Sequence, residues 1–335
     1  MDQVKVGLEL CSLSKYDKAI LFFKKAAELN YPPSFGLLVC MDYKGCWTLD
    51  NQDQKSIYHD KLNIKAIKSL ALQNDDIAQL TMGYMFTYGL KTDHKTALNW
   101  YLLAAENQNI CSYCAIGLSY LIGLGVEKNH DEALSWFKKG IIVDQINCQF
   151  LMGMYYYDHK NDLNEAIYWV EKAARQGCSI SQNELGALYE KKNNSESASY
   201  WYLQSAKNGN MDGATNIGMI LMDGGKCETD YKKGLYWLEL AAKNQNARAE
   251  NALGFYYSCG IGVPMDIKKA VYYYEKSVQK GYKYAQSNLG HLYLQGRGVK
   301  QDENQAIYLF EKAANQGLES AKELLKTFSK DGFLR

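Results

Sequence analysis

Apolar positions along this chain fall into two alternating helical registers. In the first, a small residue, a glycine and a large side chain recur together. They are Ala78, Gly83 and Phe86; Ser112, Gly117 and Tyr120; Cys148, Gly153 and Tyr156; Ser181, Gly186 and Tyr189; Gly213, Gly218 and Leu221; Ala249, Gly254 and Tyr257; Ala285, Gly290 and Tyr293. These spacings put all three on one stripe of an α-helix. In the second register an anchor (Ala97, Ala133, Ala166, Ala198, Gly234, Ala270, Ala306) precedes Trp100, Trp136, Trp169, Trp201, Trp237, Tyr273 or Leu309 by three residues. Four residues before every anchor stands Asp93, Asn129, Asp162, Asn194, Asp230, Asp266 or Asp302. Such side chains accept hydrogen bonds from the N–H groups that open a helix. The pattern predicts helix, loop, helix, turn, with glycines 34, 36, 33, 32, 36 and 36 residues apart. A period of that length marks a stacked-repeat architecture.

A glycine inside a helix costs about 1 kcal/mol relative to alanine. Its recurrence therefore predicts a neighbouring helix that approaches the bare backbone. Five of six tryptophans share one repeat position, which predicts packing between helices over an aromatic binding platform. The second helices often stop at glycine (Gly177, Gly209, Gly281, Gly317), where a left-handed backbone is accessible.

The stretch Ala285–Gly317, AQSNLGHLYLQGRGVKQDENQAIYLFEKAANQG, resembles the Sel-1-like repeat, a relative of the tetratricopeptide repeat. The resemblance implies an all-α fold, a right-handed α/α superhelical solenoid of about nine helix-loop-helix repeats with a C-terminal capping helix. Residues 76–317 hold seven well-matched repeats. Residues 1–75 hold two divergent ones, around Gly7/Ala19 and Gly36/Ala66, with a polar insertion at about 44–62. Residues 318–335 form the cap and tail. The Gly-x-Gly-Val loops at Gly123, Gly260 and Gly296 are intact, and that at Gly224 is degraded.

Thirty-eight basic against thirty-seven acidic residues leave no global field for nucleic acid. No apolar run is long enough for a transmembrane span, and residues 1–15 lack the pattern of a secretory signal. The nine cysteines fall at no constant repeat position, which predicts reduced thiols in a cytoplasm-like compartment. Cys148 reads as an alanine substitute at the small-residue position. Cys111-x-x-Cys114 is the most suggestive chemical motif, but no second pair or histidine cluster completes a zinc set. His94, His130 and His159 fall in equivalent inter-helix loops, where solvation explains them. The Gly-x-Gly loops join helices and so are turns, not phosphate cradles. No catalytic, cofactor or metal constellation emerges.

Packing consumes the small, glycine and aromatic positions of the first helices. The positions between them are expected to form a concave inner face, as the resemblance implies. There stand Phe150, Tyr157, Asn183, Met219, Met222, Arg248, Asn251, Phe255, Tyr284 and His291. Asparagine can hydrogen-bond both groups of an extended peptide backbone, while tyrosine and methionine offer adaptable apolar surface. The alternative is that several of them only complete packing inside a repeat. The expected function is a non-enzymatic, monomeric scaffold or adaptor that binds a protein or peptide. The alternatives are a secreted or host-directed repeat protein, and a hydrolase with a thiol or histidine site.

Overall fold

The computed structural model describes residues 2–13, 15–43, 61–89, 92–223 and 230–330, and among them every regular element is an α-helix. The chain divides into two units, residues 1–188 and 189–335. The first contains α1 (Asp2–Ser12), α2 (Tyr16–Glu28), α3 (Pro32–Tyr43), α4 (Ile64–Leu72), α5 (Asp76–Tyr88), α6 (His94–Glu106), α7 (Ile110–Ile122), α8 (His130–Ile142), α9 (Ile146–Lys160) and α10 (Leu163–Arg175). The point of division lies in α11 (Ser179–Lys191). The second unit continues with α12 (Ser195–Lys207), α13 (Met211–Asp223), α14 (Tyr231–Lys243), α15 (Ala247–Cys259), α16 (Ile267–Gln279), α17 (Lys283–Gln295), α18 (Glu303–Asn315) and α19 (Glu319–Lys330). In each unit consecutive helices pack pairwise, and the pairs stack on their neighbours. Most of the polar excursion expected at 44–62, and the degraded loop after Gly224, lie outside the described residues.

Local chemistry sets the helix starts. All seven expected caps accept a backbone N–H of the first turn, from Asp93 on Thr96 to Asp302 on Gln305. The turns that follow the second helices use a left-handed residue, glycine at Gly177, Gly209, Gly281 and Gly317 and a polar residue such as Asn74 or Gln245 elsewhere. In the second repeat the cap is Asn63, which moves the anchor one residue beyond Ala66, to fully buried Ile67 facing Gly36.

The recurring glycines make room for one side chain each. A Cβ on Gly7, Gly83, Gly117, Gly254 or Gly290 would stand less than 3.0 Å from the ring of Phe23, Tyr101, Phe137, Tyr274 or Phe310. Val170 and Leu238 fill the same place against Gly153 and Gly218. All seven residues are at most 3% exposed. They follow the tryptophan position by one. Trp100 and Trp201 are buried, whereas Trp136, Trp169 and Trp237 are half-buried, so the deepest seat belongs to the next residue. The last described helix is α19. Its Leu324, Leu325 and Phe328 cover Ala306, Phe310 and Ala313, while Lys322, Glu323 and Lys326 face solvent.

Gly254→Val is expected to lower stability by about 1–3 kcal/mol through overpacking. In urea unfolding, adding Tyr274→Ala to it should cost clearly less than the sum of the two single changes, since the pair shares one volume.

Candidate interaction surface

The A-helices, the first of each pair, present the expected inner positions, and the structure sorts them. In the second unit Met219 and Arg248 line a cleft of about 440 Å³ with Glu190, Asn216, Ile220 and Asp223. Both carboxylates are held in place. Buried Tyr202 donates its hydroxyl to Glu190 at 2.6 Å, and buried Tyr256 donates to Asp223 at 2.7 Å. Burial first, and the Asp223 carboxylate next, push the Tyr256 hydroxyl well above its usual range, so it stays a donor. Arg248 is exposed at the rim. Asn251 accepts from the Asn288 amide at 2.9 Å, and Phe255 and Tyr284 are 43% and 47% exposed. His291 lies half-buried, edge-on to Phe310 with ring centres 5.0 Å apart, and burial lowers its pKa.

Met222 corrects the expectation of an inner surface. It is 1% exposed and fills the space left by Gly234, the one glycine among the anchors. In the first unit Phe150 packs with Leu13 against Ile146, Ala173 and Cys178, and Tyr157 is half-buried. Asn183 donates to Glu184 at 3.2 Å.

The cysteines require a second correction. Cys114 of α7 and Cys148 of α9 form a disulfide, where reduced thiols were expected. Cys148 still fills its small-residue position against Gly140, but its sulfur ties one repeat to the preceding one. Cys111, the other cysteine of that motif, remains a thiol. Burial, then the Asp76 and Glu9 carboxylates, push its thiol up to about 11, the reverse of what a thiol nucleophile needs. His130 and His159 meet edge-on, 4.8 Å between ring centres, beside Tyr155. No group of three metal-ligating side chains occurs among the described residues. Among them, too, no helix is long and apolar enough to cross a membrane.

A recurring polar contact is absent from the sequence reading. The residue that ends a second helix reaches the position four before the glycine of its own pair. Asn107 donates to Gln79 at 2.8 Å, Gln176 to Gln149 at 2.9 Å and Gln316 to Gln286 at 3.0 Å. In the eighth pair the contact becomes an ion pair, Lys280 Nζ to Glu250 Oε2 at 2.6 Å, with Glu250 1% exposed. Spacings of 27–30 residues between partners carry the signal only once the period is known.

With this geometry established, comparison places the chain among known proteins. The Sel1 repeat profile matches residues 11–31, 76–109, 112–141, 146–178, 179–210, 212–246, 247–282 and 283–318. Repeat solenoids of this kind are scaffolds for protein interaction. The chain belongs to the Sel1 repeat family. It is similar to c5321, a protective antigen of uropathogenic Escherichia coli strains with an SLR fold. That similarity is 31% identity over 95% of this chain and 68% of the other, with a TM-score of 0.64. It is also similar to a Sel1 repeat protein from Oxalobacter formigenes, at 26% identity over 91% and 89% of the two chains and a TM-score of 0.62. No curated protein matches the chain.

Lys280→Met strands a buried carboxylate, and such a change costs about 3–5 kcal/mol. Urea unfolding should show that loss for the single variant. Glu250→Gln/Lys280→Gln, which copies the neutral pairing of the other repeats, should recover most of it.

Proposed function

We propose that the chain is a non-enzymatic interaction scaffold that binds an extended protein segment along the A-helix face of its second unit. The observation that carries this reading is the cleft between α13 and its neighbours. It combines a rim guanidinium at Arg248, adaptable apolar surface at Met219 and Ile220, and two carboxylates fixed by buried tyrosines. Carboxylates held this way suit a backbone N–H or a basic side chain, and Arg248 suits a carboxylate or a carbonyl. Exposed Phe255 and Tyr284 extend the face with aromatic area of the kind enriched at binding hot spots. The pairing of Asn251 with Asn288 holds one amide in a fixed orientation for main-chain recognition. A thiol hydrolase is disfavoured by the raised Cys111 pKa and the engagement of Cys114.

The disulfide favours a second reading of where the scaffold works. A bond between Cys114 and Cys148 persists in oxidising surroundings, which supports a secreted or host-directed repeat protein over a cytoplasmic one. The similar Escherichia coli protein is described as a protective antigen.

Affinity capture from native lysate tests the binding face by comparing wild type with Arg248→Ala/Asn251→Ala/Tyr284→Ala at equal helicity. A partner held by wild type and lost from the variant is expected. Recovery of the same proteins by both would remove the face from the argument. Thiol alkylation and mass spectrometry of chain isolated from its native cells should find Cys114 and Cys148 protected until reduction. Free labelling of both would return the chain to a reducing compartment.

A further inference from the structure

The two sulfurs of the first unit's disulfide differ in how they can be reached. Helix α1 lies over the A-helices there. Its Val4 and Leu8 are buried in one cluster with Ile77 and Leu80 of α5 and Ile116 of α7. Leu13, just beyond α1, packs on the cluster that holds Ile146 of α9. A largely apolar cleft of about 280 Å³ remains beside α1, and Cys114 is one of its walls, together with Leu8, Tyr16, Leu118 and Phe150. Cys148 is not among those walls. It is fully buried with Phe137, Met152 and Tyr155, and its sulfur lies against the bare backbone of Gly140. A molecule in the cleft therefore meets the Cys114 sulfur and not that of Cys148.

The sulfurs also differ as leaving groups. Cys148 is the third residue of α9, where the helix N-terminus favours a thiolate. Cys114 is the fifth residue of α7, beyond the first turn. Buried Gln145, the cap of α9, suits the opened state as well as the closed one. Its Oε1 accepts the Cys148 N–H at 3.1 Å and lies 3.0 Å from Cys114 Sγ, so a Cys114 thiol finds an acceptor already in place. Cys111 lines the same cleft, but a thiol pushed up to about 11 is a poor competitor as nucleophile at neutral pH.

We propose that Cys114 is a site of reversible S-thiolation by a low-molecular-weight thiol that enters the cleft beside α1. The incoming thiol gives up its proton, and its sulfur bonds to Cys114 Sγ. The Cys114–Cys148 bond breaks, and its electron pair leaves on Cys148, which takes up a proton. The small thiol is oxidised and Cys148 is reduced, so no further redox partner is needed. In the reverse step the Cys148 thiolate attacks Cys114 Sγ and expels the small thiol. Exchange thus releases α7 from α9 and leaves the added group in the cleft. The thiol content of the surroundings then sets how firmly two repeats of the first unit are joined. Exchange at Cys114 requires the disulfide and is independent of the second-unit cleft.

Glutathione is the probe, used on the purified full chain so that the outcome does not depend on the chain's native compartment. Reduced Cys148→Ala and reduced Cys114→Ala are each treated with glutathione disulfide, and the modified cysteines are located by peptide mass spectrometry. Cys148→Ala carries the small residue found at Ala78, Ala249 and Ala285, and circular dichroism confirms that both variants are folded. Cys114 in the first variant is expected to take up glutathione about tenfold faster, or more, than Cys148 in the second, because access controls exchange. In the oxidised wild type, reduced glutathione should open the bond at a rate proportional to thiol and unchanged by low urea. A smaller ratio between the two cysteines, or faster modification of Cys148, would overturn the proposal. A bond that opens only at urea concentrations that unfold the chain would overturn it as well.

Discussion

The contact between a bare glycine backbone and one buried side chain organises seven of the described helix pairs in this molecule. Gly83 lies against Tyr101, Gly117 against Phe137, Gly254 against Tyr274 and Gly290 against Phe310. The ring needs a flat patch of helix backbone, and only glycine supplies it without a shift. Full burial of so large an apolar side chain contributes about 1.5–3 kcal/mol. That gain exceeds the roughly 1 kcal/mol lost by placing glycine in a helix. The exchange recurs pair after pair because each repeat buries its stripe only against its neighbours.

Volumes elsewhere adjust to the same rule. Gly234 replaces alanine as anchor, and Met222 moves in beneath it. Gly140 stands where other repeats have alanine or serine, and the larger Cys148 faces it. Gly213 reverses the arrangement and faces Ser205. Interiors at crystal-like density tolerate such swaps when total volume is kept. The buried polar contacts obey an equally strict condition. A Gln or Glu four before the glycine finds its partner on the last residue of the paired helix, so no buried amide or carboxylate at Gln79, Gln149, Glu250 or Gln286 is stranded.

The two units use this shared framework differently. In the first, α1 lies over the A-helices and a disulfide joins α7 to α9. In the second, the A-helices carry a cleft between tyrosine-held carboxylates and exposed aromatics. Identical packing chemistry therefore presents an apolar groove in one unit and a mixed polar face in the other. The difference comes from the residues between the packing positions, which the repeat leaves unconstrained.

Helix boundaries, caps, left-handed turns and the glycine stripe were legible from the chain alone, because each depends on residues within one or two turns of one another. Asp93, Asn129 and Gly177 carry their structural reason in their own side chains or lack of one. The inner-face residues were legible only in part. Arg248, Phe255 and Tyr284 are exposed, whereas Met222 was claimed by a glycine twelve residues away and Phe150 by the cluster of Ile146, Ala173 and Cys178. The Cys114–Cys148 bond and the path of α1 across α5, α7 and α9 were decided by the tertiary structure. Both join residues from different repeats, and a repeating local pattern specifies which face is buried without specifying which distant segment comes to lie on it.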